Sequence, residues 1–244
     1  MKFTVFGWLV IAASVLSLAA IAATAPEAKA YKQTFPLLSQ GTDGEFVYIH
    51  AAIYAPIAIT PTSGAAWVAS PMALRKGGSY FIEAGWYRSL TVTACKKPYF
   101  CPYWSGISDD ASNSNITWDL DTSNTYLNGS RPWFKIETSD CEEFHAYHGT
   151  AGTWRELTPP AGYSFAGNGF SQVISGVETD TGDLELKYGS DTNRWTENNQ
   201  RRNTSATGCT QGAIGAWDYQ GVSPNDFSAT VSNLSTGEWR ITTP

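Results

Sequence analysis

Glu83 is the one carboxylate in Tyr80-Phe81-Ile82-Glu83-Ala84-Gly85-Trp86-Tyr87, a run that otherwise reads as a buried strand. Strands are poor in Glu, and an unpaired charge in an apolar setting is costly. Side-chain alternation puts Phe81, Glu83, Gly85 and Tyr87 on one face, and Tyr80, Ile82, Ala84 and Trp86 on the other. Glu83 thus shares its face with two aromatic rings, and Gly85 is expected to leave open space beside it. A carboxyl in such a groove should have a raised pKa, as acid–base chemistry requires. The competing reading is an ordinary strand glutamate paired with a nearby Lys or Arg.

A second acid has similar surroundings. In Gln172-Val173-Ile174-Ser175-Gly176-Val177-Glu178, a strand would place Gln172, Ile174, Gly176 and Glu178 on one face. Two carboxyls brought together cannot both ionise easily. One would stay protonated and donate to a developing oxyanion, while the other takes a proton from water. The alternative for Glu178 is a solvent-facing strand end before the turn Thr179-Asp180-Thr181-Gly182.

Ile82-Glu83-Ala84-Gly85-Trp86 resembles the I-E-A-G-W motif of the neprosin family. Gly176-Val177-Glu178 is similar to the W-G-G-E-V segment that carries the family's second glutamate, with Ser175 in place of the Trp and Val177 in place of the second Gly. Tyr87-Arg88-Ser89-Leu90 stands where the family continues V-x-P-x-x-Y-G-D. The resemblance implies a glutamic peptidase on a β-sandwich related to the concanavalin-like lectins. Its two glutamates, here Glu83 and Glu178, would activate water and assist peptide hydrolysis at acidic pH, with a preference for proline-containing substrates.

Other constellations are weaker. Tyr99-Phe100-Cys101-Pro102-Tyr103-Trp104 is an aromatic cluster suited to stacking on sugar or proline rings, or to a satellite core under a disulfide loop. Trp86, Tyr87, Tyr103 and Trp104 are the candidate substrate contacts, although Trp67 and Trp86 are better explained as sandwich core. His145 and His148 stand three apart, which on a strand puts them on opposite faces and speaks against a shared metal. With His50 the only other histidine and no G-x-S-x-G elbow, a Ser-His-Asp hydrolase has little support. Asp119-Leu120-Asp121-Thr122-Ser123-Asn124 has part of a calcium-loop pattern without its sixth-position Gly or distal Glu, so a polar turn is expected. No metal and no cofactor are expected.

The elements that must position these residues are β-strands. Short apolar or β-branched runs recur every 10 to 20 residues between Gly, Asn, Asp, Ser and Pro clusters. The clearest are 46–54, 65–73, 80–89, 131–137, 142–148, 152–157, 170–178, 184–188, 213–219, 227–231 and 238–242. No helical period is sustained after residue 30. The expectation is an all-β, two-sheet antiparallel sandwich of concanavalin-like or glutamic-peptidase-like jelly-roll form, in a single domain over 44–244. Residues 31–43 read as a short irregular leader, and the polar stretches 109–130 and 192–210 each as a long loop or an edge region.

Residues 1–30 read as a secretory signal: Lys2, an apolar run from Val5 to Ile21, and an A-x-A site at Ala28-Lys29-Ala30. An uncleaved anchor is the other reading of that run. Export predicts two disulfides from the four cysteines Cys95, Cys101, Cys141 and Cys209. Of three pairings, Cys95–Cys101 with Cys141–Cys209 is preferred. Asn115, Asn128, Asn203 and Asn233 begin N-x-S/T acceptor patterns, which matter only in a glycosylating host. Beyond residue 30 the chain keeps 14 basic and 21 acidic residues, a net charge of −7. That balance, without a basic cluster, argues against nucleic acid and anionic membranes as partners. The expected protein is a secreted monomer acting on a peptide or protein substrate. The alternative is a lectin-like module binding a glycan or surface polymer, and a structural exoprotein is a third class.

Overall fold

The structure is a computed structural model of the 244-residue chain. It divides into two units, Met1–Ala30 and Tyr31–Pro244. The residues described are 32–41, 45–55, 67–76, 80–109, 116–150, 152–165, 170–175, 177–179, 193–204, 208–215, 221–223, 228–233 and 238–242. The signal expected at 1–30 and the strand expected at 184–188 lie outside them.

Eighteen strands are described. The first nine are β1 (Lys32–Gln40), β2 (Phe46–Ile53), β3 (Trp67–Lys76), β4 (Tyr80–Ser89), β5 (Tyr99–Ile107), β6 (Thr117–Leu120), β7 (Tyr126–Leu127), β8 (Trp133–Thr138) and β9 (Glu143–Thr150). The rest are β10 (Thr153–Glu156), β11 (Tyr163–Ser164), β12 (Gln172–Ser175), β13 (Val177–Thr179), β14 (Asn193–Asn203), β15 (Gln211–Gly215), β16 (Gly221–Ser223), β17 (Ser228–Asn233) and β18 (Glu238–Thr242). Among the described residues the one helical element is a 3-10 turn at Thr93–Cys95.

The strands form two antiparallel nine-stranded sheets. One contains β1, β3–β7, β12, β13 and β16; the other contains β2, β8–β11, β14, β15, β17 and β18. Their inner faces meet in a shared core. Val68, Met72, Leu74, Ile82, Ala84, Trp86, Phe100 and Trp104 come from the first sheet, and Phe46, Ile49, Ile53, Phe134, Ile136, Phe144 and Ala146 from the second. The burial of β8 alternates along Trp133–Thr138, as a strand with one face on this core requires. The fold is thus the expected all-β sandwich.

Several expectations need correction. Lys32–Gln40 is not an irregular leader: β1 pairs with β12, β13 and β16. The aromatic cluster at 99–104 belongs to β5, a strand paired along most of its length with β4, and not to a loop. Of the two polar stretches, 109–130 contains β6 and β7 at the edge of the first sheet, which is the edge-region reading, whereas 192–210 contains the eleven-residue β14, paired with β2 and β18 and not a loop. The residues of β6 and β7 are exposed or half-buried, and only a strand with a buried face needs apolar alternation. Both disulfides are the preferred ones, Cys95–Cys101 and Cys141–Cys209.

Candidate active site

β4 carries Glu83 across the centre of the first sheet, between β3 and β5. Ile82, Ala84 and Trp86 enter the core, so Phe81, Glu83, Gly85 and Tyr87 face away from it. The register sets their neighbours. Glu83 lies opposite Ala73 on β3 and Ser105 on β5. On the far side of β3, Ile174 is opposite Ala73, and these two form a small apolar cluster separate from the main core.

Glu83 is only 6% exposed although it points away from the core. Its Oε1 accepts two hydrogen bonds, from Ser105 Oγ at 2.6 Å and from Tyr103 OH at 3.3 Å. Among the described residues no Lys or Arg forms an ion pair with it, so the ordinary salt-bridge reading does not hold. Burial pushes its carboxyl up to about 7. The Ser105 and Tyr103 hydroxyls, and the more weakly felt charge of Arg75, all pull it back down. Below neutral pH Glu83 is therefore mostly a protonated acid.

Gly85 does not leave open space. A Cβ there would sit 2.1 Å from the Ser70 carbonyl oxygen and 2.8 Å from Pro71 Cα. Pro71, directly opposite, has no N–H for the ladder, and the β3 backbone presses against β4 at this point. The outward face of β3 there is small: Ala69, Pro71 and Ala73.

Beside the acid runs a row of rings. Trp67 is level with Ser89, Tyr87 with Cys101, Tyr103 with Gly85, and Trp118 with Ser105. One strand over and two residues along at each step, these four cross β3, β4, β5 and β6 as a diagonal on the outward face. Tyr87 is the hub. Its ring lies 5.7 Å from Trp67, stacked, 6.1 Å from Tyr103 and 6.4 Å from Trp118. Trp118 is 56% exposed. Of the four expected substrate contacts, Tyr87 and Tyr103 are on this face. Trp86 and Trp104 are not: both are buried in the core, Trp86 against Phe100 and Trp104 against Tyr163. Trp67, expected in the sandwich core, faces outward instead, because its register opposite Ser89 puts it on the Glu83 face. Nothing in the sequence marks Ser105 or Trp118. Their place beside Glu83 depends on strand pairing, which a single sequence does not display.

β13 places the Glu178 backbone opposite Ala69 of β3 and Gln33 of β1. β12 and β13 keep one register against β3, since Ile174 meets Ala73 and Glu178 meets Ala69. The Glu178 position therefore shares the outward face with Glu83, two strands across and four residues along. Ideal strand spacings put the two Cα atoms on the order of 16 Å apart. Gln172, opposite Arg75, is on the same face at the other side of the Glu83 level.

The histidines have other partners. His145 and His148 lie on opposite faces of β9, the first half-buried and the second buried. His145 Nδ1 is 2.5 Å from Glu156. His148 contacts Asp121 through Nε2 at 3.0 Å and the Tyr126 hydroxyl through Nδ1 at 2.7 Å. Asp121 accepts the backbone N–H groups of Ser123 and Asn124, the polar turn expected there. No cluster of three metal-ligating side chains occurs among the described residues.

No protein-family model matches the sequence, and no curated protein matches it. The neprosin resemblance therefore stands on the quoted residues alone. Solved structures do match by shape. A scytalido-glutamic peptidase bound to a peptide-based transition-state analogue superimposes with a TM-score of 0.58 at 9% identity, covering 88% of this chain and 100% of that one. A second structure of a scytalido-glutamic peptidase, with a transition-state analogue inhibitor, gives 0.55 at 10% identity, with the same coverage of each chain. At such identities the likeness is one of fold.

Proposed function

We propose that the protein is a glutamic-type peptidase whose acid is Glu83. The observation that carries this is the buried carboxyl itself: held by two hydroxyls, with no direct ion pair among the described residues, on the outward face of the sheet, where burial pushes its pKa up to about 7. A strand carboxyl kept for stability alone would be expected to find a cation or solvent. The shared fold with glutamic peptidases supports the same reading.

In this mechanism the substrate peptide lies over the small face of β3. Glu178 is proposed as the ionised partner. It takes a proton from water as the water oxygen bonds to the carbonyl carbon, and Glu83 donates its proton to the developing oxyanion. As the C–N bond breaks, the amine leaves with the proton held by Glu178, and the carbonyl forms again as the oxyanion proton returns to Glu83. The Tyr87, Tyr103 and Trp118 rings would hold substrate side chains by stacking. Export fits this reading: two disulfides suit an oxidising compartment, and residues 1–30 are proposed as the signal that directs it there.

The ring row also favours a second reading, a glycan-binding sandwich without catalysis, because aromatic platforms suit sugar rings as well. One experiment separates the two. The purified protein is incubated with a denatured protein substrate from pH 3 to 8, alongside Glu83→Gln and Glu178→Gln. The peptidase reading expects cleavage in acid that falls away near pH 7, and a loss of at least about a hundredfold in each variant. Full activity in Glu83→Gln would end the proposal. No cleavage together with retention on immobilised glycans would establish the second reading.

A further inference from the structure

The two oxygens of the Glu83 carboxyl are not equivalent. Both hydrogen bonds to it end on Oε1, and both donors, Ser105 Oγ and Tyr103 OH, come from β5. Oε2 accepts no hydrogen bond from a described residue. On the other side of Glu83 from β5, the register places Ala73 and then Ile174, an apolar pair with nothing to hydrogen-bond. An oxygen that accepts two donors keeps its lone pairs engaged and is the carbonyl-like one, whereas the proton of a neutral carboxyl goes to the oxygen left without donors.

We infer that Ser105 is a positioning residue for the acid. By tying Oε1 to β5 it fixes the acid proton on Oε2 and turns that oxygen toward the half of the face built on β3. That half also carries the position of the proposed partner, Glu178, opposite Ala69. Ser105 suits the task because it sits directly across the strand pair from Glu83, with a short side chain and a bond of 2.6 Å. Tyr103 reaches the same oxygen from the neighbouring position, at a longer 3.3 Å, and is the weaker tie. A serine present merely to satisfy a buried carboxyl would leave the choice of oxygen without consequence for reaction.

The inference rests on the peptidase reading only for its kinetic part, so the experiment has two readouts. The first is the titration of the Glu83 carboxyl by carbon-13 NMR in the whole protein, its resonance identified by its absence in Glu83→Gln. The second is the pH profile of peptide hydrolysis. Ser105→Ala removes a bond that favours the ionised form, so the Glu83 midpoint should rise by about one pH unit. The alkaline limb of hydrolysis should move up with it, and kcat should fall about tenfold or more with KM little changed. Ser105→Thr keeps the hydroxyl and should restore both. Tyr103→Phe should move the midpoint the same way by less, and it carries the test if Ser105→Ala fails to fold. An unmoved midpoint in folded Ser105→Ala, or no rescue by threonine, overturns the inference. The expected midpoint shift in a protein that cleaves no peptide would instead overturn the peptidase reading and leave the tie between Ser105 and Oε1 standing.

Discussion

At Glu83 burial and hydrogen bonding act in opposite directions, and burial wins. Two hydroxyl donors would on their own hold a carboxyl below its usual range, yet the group is pushed up to about 7. What makes that environment is the packing of β3 on β4, and Gly85 controls it. Any side chain at this position must displace the Ser70 carbonyl, a backbone atom that cannot swing aside. Gly85→Ala should therefore cost about 3 kcal/mol or more, at the upper end of overpacking effects. It should also pry β3 from β4 next to the acid and lower the Glu83 midpoint as water enters. Urea denaturation together with the carboxyl titration checks both. A variant as stable as the parent would show that the strands are not pressed together there.

At the level of elements, the two disulfides do different jobs. Cys95–Cys101 closes a short loop across the 3-10 turn that leads from β4 to β5, the two strands that hold Glu83 and its donors. Cys141–Cys209 links the turn between β8 and β9 to the segment between β14 and β15, across a sequence separation of 68. Loop-closure entropy makes the longer link the larger contributor, about 4 kcal/mol against about 2 for the short one. Replacing Cys141 and Cys209 together by Ser should thus lower the urea midpoint about twice as far as replacing Cys95 and Cys101; equal losses would count against an entropic origin. What the sequence made legible follows the same physics. β4 was found at its observed ends, 80–89, because its alternation is complete. β1 and β14 are not legible in the sequence, because Lys32–Gln40 and Asn193–Asn203 carry no apolar alternation to announce a strand. In the site, Glu83 stood out as a charge in an apolar run. Trp118 and Ser105 did not, because a half-exposed Trp and a strand Ser become informative only once pairing puts them level with Glu83. For Trp86 the core alternative is the correct one, as its alternation opposite Glu83 requires, and Trp104 enters the core by the same alternation along β5, because an aromatic-rich segment looks like a binding surface until each ring is assigned to a face.

Across the whole molecule, the titrating groups pull stability in opposite directions with pH. Glu83 has a folded pKa raised from an ordinary 4.5 to about 7, so the folded chain holds a proton the unfolded chain would release. Its contribution is fully present below 4.5 and is lost as pH rises through 7, a change of about 3 kcal/mol. His148 does the reverse. Burial lowers its pKa, and the nearby Arg155 charge adds to that, against the opposing pull of Asp121. Its stabilisation is present above its ordinary 6.5 and is lost as pH falls through the lowered folded value. Burial alone would raise Asp121, but hydrogen bonds from Asn124 and Ser123 and the His148 charge hold it below the usual carboxylate range. Its contribution is therefore lost only in stronger acid. Glu83→Gln removes the limb that falls with rising pH and leaves the others. Relative to the parent, the variant should gain stability steadily from pH 4.5 to pH 7, with little difference at pH 4 and the largest at pH 8. Its own stability should climb from acid to pH 6.5, where the parent's two trends offset each other. Urea denaturation of both proteins at pH 4, 6 and 8 gives the comparison. The same difference at pH 4 as at pH 8 would mean that Glu83 titrates alike in the folded and unfolded chains, and the acid assigned to it would lose its physical basis.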